Sequence, residues 1–408
     1  MNKKISLGIA ISLIAVACAV TFVVTMTASL NLYNDKIAGV QQREEINTRI
    51  QEIDSFVRNY SLSAVDDESV KSGIYAGYLD GISDRYSDYY TTDEYYYETM
   101  LESGVIVSLG IETVNDGGYP KVAKVYKNSP AEEAGITKDD IISKVNGQNV
   151  LEIGYKKASE LILFGDEGTK TTLLVRHNGE EIEHSLSRTS FEISSVKHEL
   201  LDNGIFYIGV SDIHNLTGKQ VGLALEEHAT EEIKGYIFDL RECESGNYSS
   251  AAEILDPFIP KMTIANAVYK NNSYQVIGET SDDKSTALPI SVMVNEKTGG
   301  SAELIALCLR GGAAAKIVGT PTMGYGTLQE ARAFSDGTAV KISVAVIEPA
   351  AEAGSYNETG VKPEFIVEYA GITETAPGNY VNTYDVQYKK AVEVVLSAMG
   401  GTSAEEQR

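Results

Sequence analysis

The chain has 408 residues, enough for two or three domains that each bury a core. Its 58 acidic against 34 basic residues give a formal net charge of -24, which argues against nucleic acid or an anionic membrane surface as partner. Three cysteines are too few for a disulfide framework.

In chain order, residues 5–30 carry no charged side chain, a run longer than the roughly 20 residues a helix needs to cross a bilayer. Lys3 and Lys4 precede it, which predicts a single pass through a bacterial-type cell membrane with the bulk of the chain outside. The alternative is a cleaved signal peptide, whose apolar region is usually only about 7 to 15 residues. Cys18 sits inside the apolar run and reads as a membrane-buried thiol. Within residues 31–102, Ile46, Ile50, Ile53 and Val57 share one helical face among Arg, Glu and Gln, predicting a stalk or docking helix. A tyrosine-rich passage follows, Gly81-Ile-Ser-Asp-Arg-Tyr-Ser-Asp-Tyr-Tyr-Thr-Thr-Asp-Glu-Tyr95.

Residues 103–188 read as a small β-rich module. Strand-like alternation appears in residues 121–126 and 171–176, with an amphipathic helix over 155–164 between them. Residues 191–385 alternate apolar strands, at 204–210 and 235–241, with helices such as 218–230, which argues for a mixed α/β sheet. A helix over 386–399, within a C-terminal segment 386–408, is expected to pack back on this core.

The most specific segment is residues 295–329. It reads Asn295-Glu-Lys-Thr-Gly-Gly300-Ser301-Ala302-Glu303, an apolar helical run, then Ile317-Val-Gly-Thr-Pro321-Thr-Met-Gly-Tyr325-Gly-Thr-Leu-Gln329. This resembles the carboxy-terminal processing, or tail-specific, serine proteases. Their frame runs Asn-x-x-Ser-Ala-Ser-Ala-Ser-Glu, a helix, then Gly-Thr-x-Thr-Phe-Gly-Lys-Gly-x-x-Gln. Asn295, Glu303, Gly319, Thr320, Thr322, Gly324, Gly326 and Gln329 match without a gap. The nucleophile slot is Gly300 and the base slot is Tyr325. The tyrosine-rich passage is similar to the same family's Asp-Pro-Tyr-Ser-x-Tyr-Leu-Thr-x-Glu-Glu-Tyr segment. Asn128-Ser-Pro-Ala-Glu-Glu-Ala-Gly135 and Asp140-Ile-Ile-Ser-Lys-Val-Asn-Gly147 resemble its PDZ domain. The resemblance therefore implies a mixed α/β, α+β protease core with an inserted PDZ domain.

Serine and lysine chemistry needs a hydroxyl at the helix start, near backbone N–H donors, and a lysine made neutral by burial. Gly300 offers no side-chain atom, and a tyrosine hydroxyl, of pKa about 10, does not replace a flexible amine. In a well-studied serine protease, loss of the nucleophile alone costs about 2 × 10⁶-fold in kcat. Ser301 is the candidate substitute, but one residue turns a helical side chain by roughly 100°; its bland reading is a capping or solvent-facing serine. Cys243 lies in Asp239-Leu-Arg-Glu-Cys-Glu-Ser-Gly246, which resembles the family's oxyanion loop Asp-Leu-Arg-x-Asn-x-Gly-Gly with Ser245 at its first glycine and Gly246 at its second. No cation that would activate the thiol is placed beside it by sequence. Gln329, which orients the lysine in the family, is expected to hydrogen-bond Tyr325.

In the PDZ module, Leu109, Gly110, Ile111 and Glu112 are the peptide-binding candidates, through an exposed strand edge and a glycine loop. The competing reading is that Leu109 and Ile111 fill the core. The five histidines show no metal-ligand spacing, and neither metal nor cofactor is expected. The leading expectation is a membrane-anchored pseudoprotease that binds peptide segments or C-termini of exported proteins and protects a client or regulates an active relative. The alternatives are a working endopeptidase using Ser301 and a structural envelope scaffold. The sequence leaves the oligomeric state open, a homodimer included.

Overall fold

The structure, a computed structural model, describes residues 7–244, 246–281, 285–352, 354–368 and 385–400. The chain divides into two units, Met1–Tyr75 and Ala76–Arg408. In the first, the charge-free run and the stalk pattern form one helix, α1 (Leu7–Tyr60). Its Ser12–Leu30 stretch is long and apolar enough to cross a membrane. Near its end Arg58 bonds the Asp54 carboxylate one turn back at 2.8 Å. Helix α2 (Asp67–Asp80) opens with Asp67 and Glu68, acids that suit the positive end of its dipole.

The second unit begins with β1 (Asp88–Tyr90) and α3 (Thr92–Ser103). Thr91 and Glu94 cap that helix reciprocally, and Gly104 ends it in the left-handed conformation, φ 79°. Strand β2 (Val105–Ser108) leads into the expected β-rich module. This comprises β3 (Ile111–Asp116), β4 (Tyr119–Val125), α4 (Pro130–Glu133), β5 (Ile141–Val145), β6 (Gln148–Asn149), α5 (Val150–Ile153), α6 (Tyr155–Leu163), β7 (Lys170–His177) and β8 (Glu180–Ser187). Its sheet has the order β3-β4-β5-β7-β8, with β6 beside β5. Inward residues Leu109, Ile111, Val122, Ile142 and Leu173 pack against Ala158 and Ile162 of α6. Strand β9 (Thr189–Glu192) returns antiparallel to β2 and closes the module.

The remainder is β10 (Val196–Leu200), β11 (Ile205–Val210), α7 (Thr217–Glu227), β12 (Gly235–Asp239), α8 (Tyr248–Leu255), β13 (Thr263–Tyr269), β14 (Tyr274–Glu279), β15 (Ile290–Val294), α9 (Ser301–Ala313), β16 (Lys316–Gly319), β17 (Thr327–Ala333), β18 (Ala339–Pro349), β19 (Phe365–Ile366) and α10 (Val386–Ala398). One sheet runs β10-β11-β12-β15-β16-β19 and is parallel from β11 onward. Its central strands β11, β12 and β15 are almost wholly apolar and buried because both faces are covered. Phe206, Ile208, Phe238 and Val292 face the cluster built with α7, α8 and α9, whereas Ile205, Tyr207, Ile237 and Met293 face α10. That split is the period of two along each strand. A second sheet, β1-β18-β13-β14 with β17 on β18, packs beside it. The predicted helix at 218–230 thus ends at Glu227, and residues 401–408 of the predicted tail lie outside the described residues.

One buried arginine ties α10 to the sheet. Arg241 donates to the Asp239 carboxylate at 2.8 and 2.7 Å, to Gln387 at 3.2 Å and to Asp385. Asp385 in turn caps α10, accepting from Gln387 and Tyr388 N–H. Replacing Arg241 with Ala leaves two buried carboxylates uncompensated and is expected to cost about 3–5 kcal/mol. Urea unfolding followed by circular dichroism reads this; a loss below about 1 kcal/mol would overturn the assignment.

Candidate functional site

Loops leave the carboxyl ends of the parallel strands β11, β12, β15 and β16 at one end of the sheet, where open α/β sheets take their ligands. The turn after β15 carries the nucleophile slot. Gly300 stands at φ 58° and ψ -123°, a backbone region that L side chains rarely adopt. Its N–H donates to the Glu303 carboxylate at 3.1 Å and its carbonyl accepts from the Tyr356 hydroxyl at 3.0 Å. No side chain is present to complete the other half of a capping box.

Ser301 follows as the first helical residue. It is fully buried, and its hydroxyl has no hydrogen-bond partner among the described residues. It therefore neither caps α9 nor faces solvent, contrary to the bland expectation, because its side chain turns inward toward Gly246: a Cβ on Gly246 would lie 2.7 Å from Ser301 Oγ. At position 299 a Cβ would lie only 2.3 Å from the Glu244 carbonyl oxygen. The loop after β12 thus occupies the space that the family frame gives to an alanine. Gly299 N–H also donates to the Cys243 carbonyl at 2.9 Å, locking the two loops together. Ser245, expected in the oxyanion loop, lies outside the described residues. Asn295 holds the same loop from the other side: its amide accepts from Glu242 N–H at 3.1 Å and donates to the Glu242 carboxylate at 2.8 Å.

In the base slot, the Tyr325 ring stacks on Tyr86 with centroids 3.5 Å apart and planes 10° apart. The Arg85 guanidinium covers the Tyr86 ring at 4.6 Å and donates to the Met323 carbonyl at 3.2 Å. Asp84 accepts from Ser343 N–H at 2.9 Å and from its hydroxyl at 3.0 Å, pinning the tyrosine-rich passage to β18. Burial pushes the Tyr325 hydroxyl up to about 12, with Lys341 opposing the shift. Such a group stays protonated at neutral pH and cannot serve as a base. Gln329 does not bond Tyr325 as expected; its amide donates to the Thr327 hydroxyl and to the Ser343 hydroxyl at 3.3 Å, because Tyr325 is engaged by Tyr86 instead.

Glu303 joins the two slots. Its fully buried carboxylate accepts from Gly300 N–H, from Gly324 and Tyr325 N–H at 2.7 and 2.8 Å, and from the Thr322 hydroxyl. Burial raises its pKa above the usual 4.5, against those hydrogen bonds, which favour the ion. Beside the slots opens a cleft of about 420 Å³ lined by Tyr325, Gln329, Lys341, Asp212, His214 and Asn247. His214 accepts from Leu216 N–H through Nδ1 at 3.2 Å, and burial lowers its pKa. The other histidines lie elsewhere: His177 contacts Asp140, His228 contacts Glu231, and His198 lies 3.6 Å from Glu227. Cys243 and Cys308 are buried, are not joined in a disulfide, and have thiol pKa values that burial raises, which leaves no thiolate to act. Among the described residues no His, Cys, Asp and Glu group is arranged to hold a metal ion.

In the β-rich module, β3 is one of the edge strands of its sheet. Leu109 and Ile111 are buried in the core, so only backbone could meet a ligand there. Gly110 adopts φ 86° against Ser129, and its N–H is held by the Ser108 hydroxyl at 3.0 Å. Glu112 accepts from the Tyr126 hydroxyl and lies 3.7 Å from Lys124 Nζ. Across the groove, the Tyr155 hydroxyl on α6 donates to the Thr113 carbonyl at 3.0 Å. The roles of Tyr86, Tyr155 and Tyr356 had no signal in the sequence, since each depends on a partner distant in the chain.

Replacing Glu303 with Ala strands four donors and is expected to cost about 3–5 kcal/mol. A raised folded pKa contributes stability that is complete below the usual 4.5 and is lost as pH rises through the folded value. The gap between wild type and Glu303→Ala in urea unfolding should therefore narrow from pH 4 to pH 8; a gap that widens would show the carboxyl pKa to be lowered.

Residues 204–367 match peptidase family S41, and residues 121–177 match a PDZ domain. Carboxy-terminal processing protease CtpA of Bacillus subtilis (strain 168) is 29% identical over 371 residues, covering 90% of this chain and 78% of that protein. A probable CtpA-like serine protease of Staphylococcus aureus (strain MSSA476) is 25% identical over 400 residues, covering 96% and 79%. A photosystem II D1 C-terminal processing protease of known structure covers 76% of this chain and 84% of its own at 19% identity, with TM-score 0.47. The S41 match, the PDZ match and the CtpA-like relatives together support a carboxy-terminal processing protease family of serine-type peptidases for this chain.

Proposed function

We propose that this member of the family is a membrane-anchored, extracytoplasmic pseudoprotease that binds extended segments or C-termini of exported proteins without cleaving them. The observation that carries the reading is the pair of slots, Gly300 with no side-chain atom and Tyr325 held protonated against Tyr86. The pressure of the Glu244 carbonyl on Gly299 supports it, because that point presents an acceptor where acyl transfer needs donors. Ser301 gives no support to the endopeptidase alternative, since its hydroxyl is fully buried and has no base beside it among the described residues. The apolar Ser12–Leu30 stretch of α1 supports the anchor. Ligands would be a peptide strand added to the β3 edge and a segment lying in the cleft beside Tyr325.

Wild type is expected to show no labelling by a fluorophosphonate probe and no cleavage of unstructured peptides. The double substitution Gly300→Ser, Tyr325→Lys should not restore turnover, because the loop after β12 remains closed on position 299. Labelling of wild type that disappears in Ser301→Ala would sink the proposal. For the groove, Tyr155→Phe frees the Thr113 carbonyl and should tighten peptide binding roughly fivefold, the worth of one net hydrogen bond of about 1 kcal/mol. Fluorescence anisotropy with labelled peptides measures this; unchanged affinity would place the ligand elsewhere.

A further inference from the structure

The cleft beside Tyr325 does not end at Gln329. A second chamber of about 390 Å³ shares Glu102, Gly246, Asn247 and Gln329 with it, and a third of the same volume shares Ser249 with the second. Together they form a trough that leaves the cleft, passes Gln275 and Ile277 of β14 and runs out between β14 and α8. On α8, Ser249, Glu253 and Asp256 succeed one another at steps of four and three residues, so one helix face supplies that wall. On the opposite wall, β14 is an end strand of its sheet and pairs with β13. Tyr269 N–H donates to the Ser273 carbonyl at 2.9 Å, and the alternation of an antiparallel ladder from that pair turns the backbone groups of Tyr274 and Val276 away from β13.

We propose that this trough seats an extended, basic segment of the client, the part of its chain that leaves the cleft, an assignment that rests on the binding reading above and adds the chemistry of the segment. A trough bounded by a strand edge suits a ligand that brings its own backbone N–H and C=O groups. The walls decide its charge. Glu102, Glu253, Asp256 and Glu279 line the two outer chambers, and among the described residues no lysine, arginine or histidine lines them. Asp256 accepts from the Ser281 N–H and from its hydroxyl at 3.1 Å, and Glu279 accepts from the Thr263 hydroxyl at 3.3 Å. Those contacts are neutral and leave the negative charge standing. Inside the cleft the balance differs, because Lys341 already lies 3.6 Å from Glu98. The outer trough therefore repels an acidic segment and draws a basic one. Each exposed ion pair is weak alone, but several carboxylates along one channel act together on a chain that carries more than one cation.

The test uses the full chain in nanodiscs and dye-labelled, unstructured peptides of about twelve residues, long enough at roughly 3.3 Å each to span the cleft and β14. The peptides differ only in a Lys-Lys or a Gln-Gln pair, placed near one end or the other. Fluorescence anisotropy should show the lysine pair at one of the two ends tightening binding roughly tenfold at low salt, a gain lost above about 0.5 M NaCl. In the double variant Glu253→Gln, Glu279→Gln the lysine peptide should bind no better than the glutamine peptide. A lysine peptide N-methylated at alternate amides keeps its charge and should bind roughly fivefold more weakly, because it cannot pair with the strand edge. Equal affinity for lysine and glutamine peptides, a gain that survives in the double variant, or an N-methylated peptide bound as tightly would each overturn the trough assignment and leave the binding reading in place. Binding of none of the peptides would overturn both.

Discussion

The Glu303 carboxylate accepts from Gly300, Thr322, Gly324 and Tyr325, so a single buried side chain sets the spacing between the loops that follow β15 and β16. A carboxylate removed from water costs several kcal/mol unless its lone pairs are filled. Here they are, and three of the four donors are backbone N–H groups. Backbone donors are supplied by any residue, so the geometry of the frame makes no demand on the side chains at 300 and 325. Asn295, Glu303 and the glycines of the frame are therefore compatible with glycine at 300 and tyrosine at 325.

The same backbone explains why glycine suits position 300 on the proposed reading, in which no nucleophile is required. A residue with a Cβ held at φ 58° and ψ -123° carries roughly 1–3 kcal/mol of strain. An enzyme can tolerate that strain where it aims a nucleophile; glycine adopts the conformation without it. Glycine at 299 has a different effect. It lets the Glu244 carbonyl approach to a distance that no alanine would permit, and the loop that should present donors is drawn onto the turn. Two small side chains thus change both the chemistry and the shape of the centre, while Tyr356 beneath Gly300 and Asn295 beside Glu242 keep it rigid.

Much of this was legible in the sequence wherever the determinant was local. The turn chemistry of Asn128 to Gly147, the apolar strands of a sheet covered on both faces, and the ungapped frame from Asn295 to Gln329 each carry their own residue pattern. Contacts between distant segments left no such trace. The expected bond between Gln329 and Tyr325 failed because Tyr86, brought in by Asp84 on Ser343, takes the tyrosine ring first. Ser301 looked like a surface or capping serine because helix position alone does not reveal that Gly246 packs against it. Arg241 was part of a motif, yet its pairing with Asp385, more than a hundred residues away, could be read only from the fold.

Losing a nucleophile and its base removes interactions that matter in a transition state, and leaves ground-state binding largely untouched. What limits binding here is instead self-contact. A ligand in the cleft must separate Tyr325 from Tyr86, a stack worth about 0.5–1.5 kcal/mol. A strand added to β3 must displace the Tyr155 hydroxyl, at about 1 kcal/mol. Together these amount to roughly 1.5–2.5 kcal/mol, a ten- to hundredfold weakening. Catalysis, by contrast, falls by about a millionfold when the nucleophile goes. The imbalance is four or so orders of magnitude, and on the proposed reading it is what separates a lost activity from a retained binding surface.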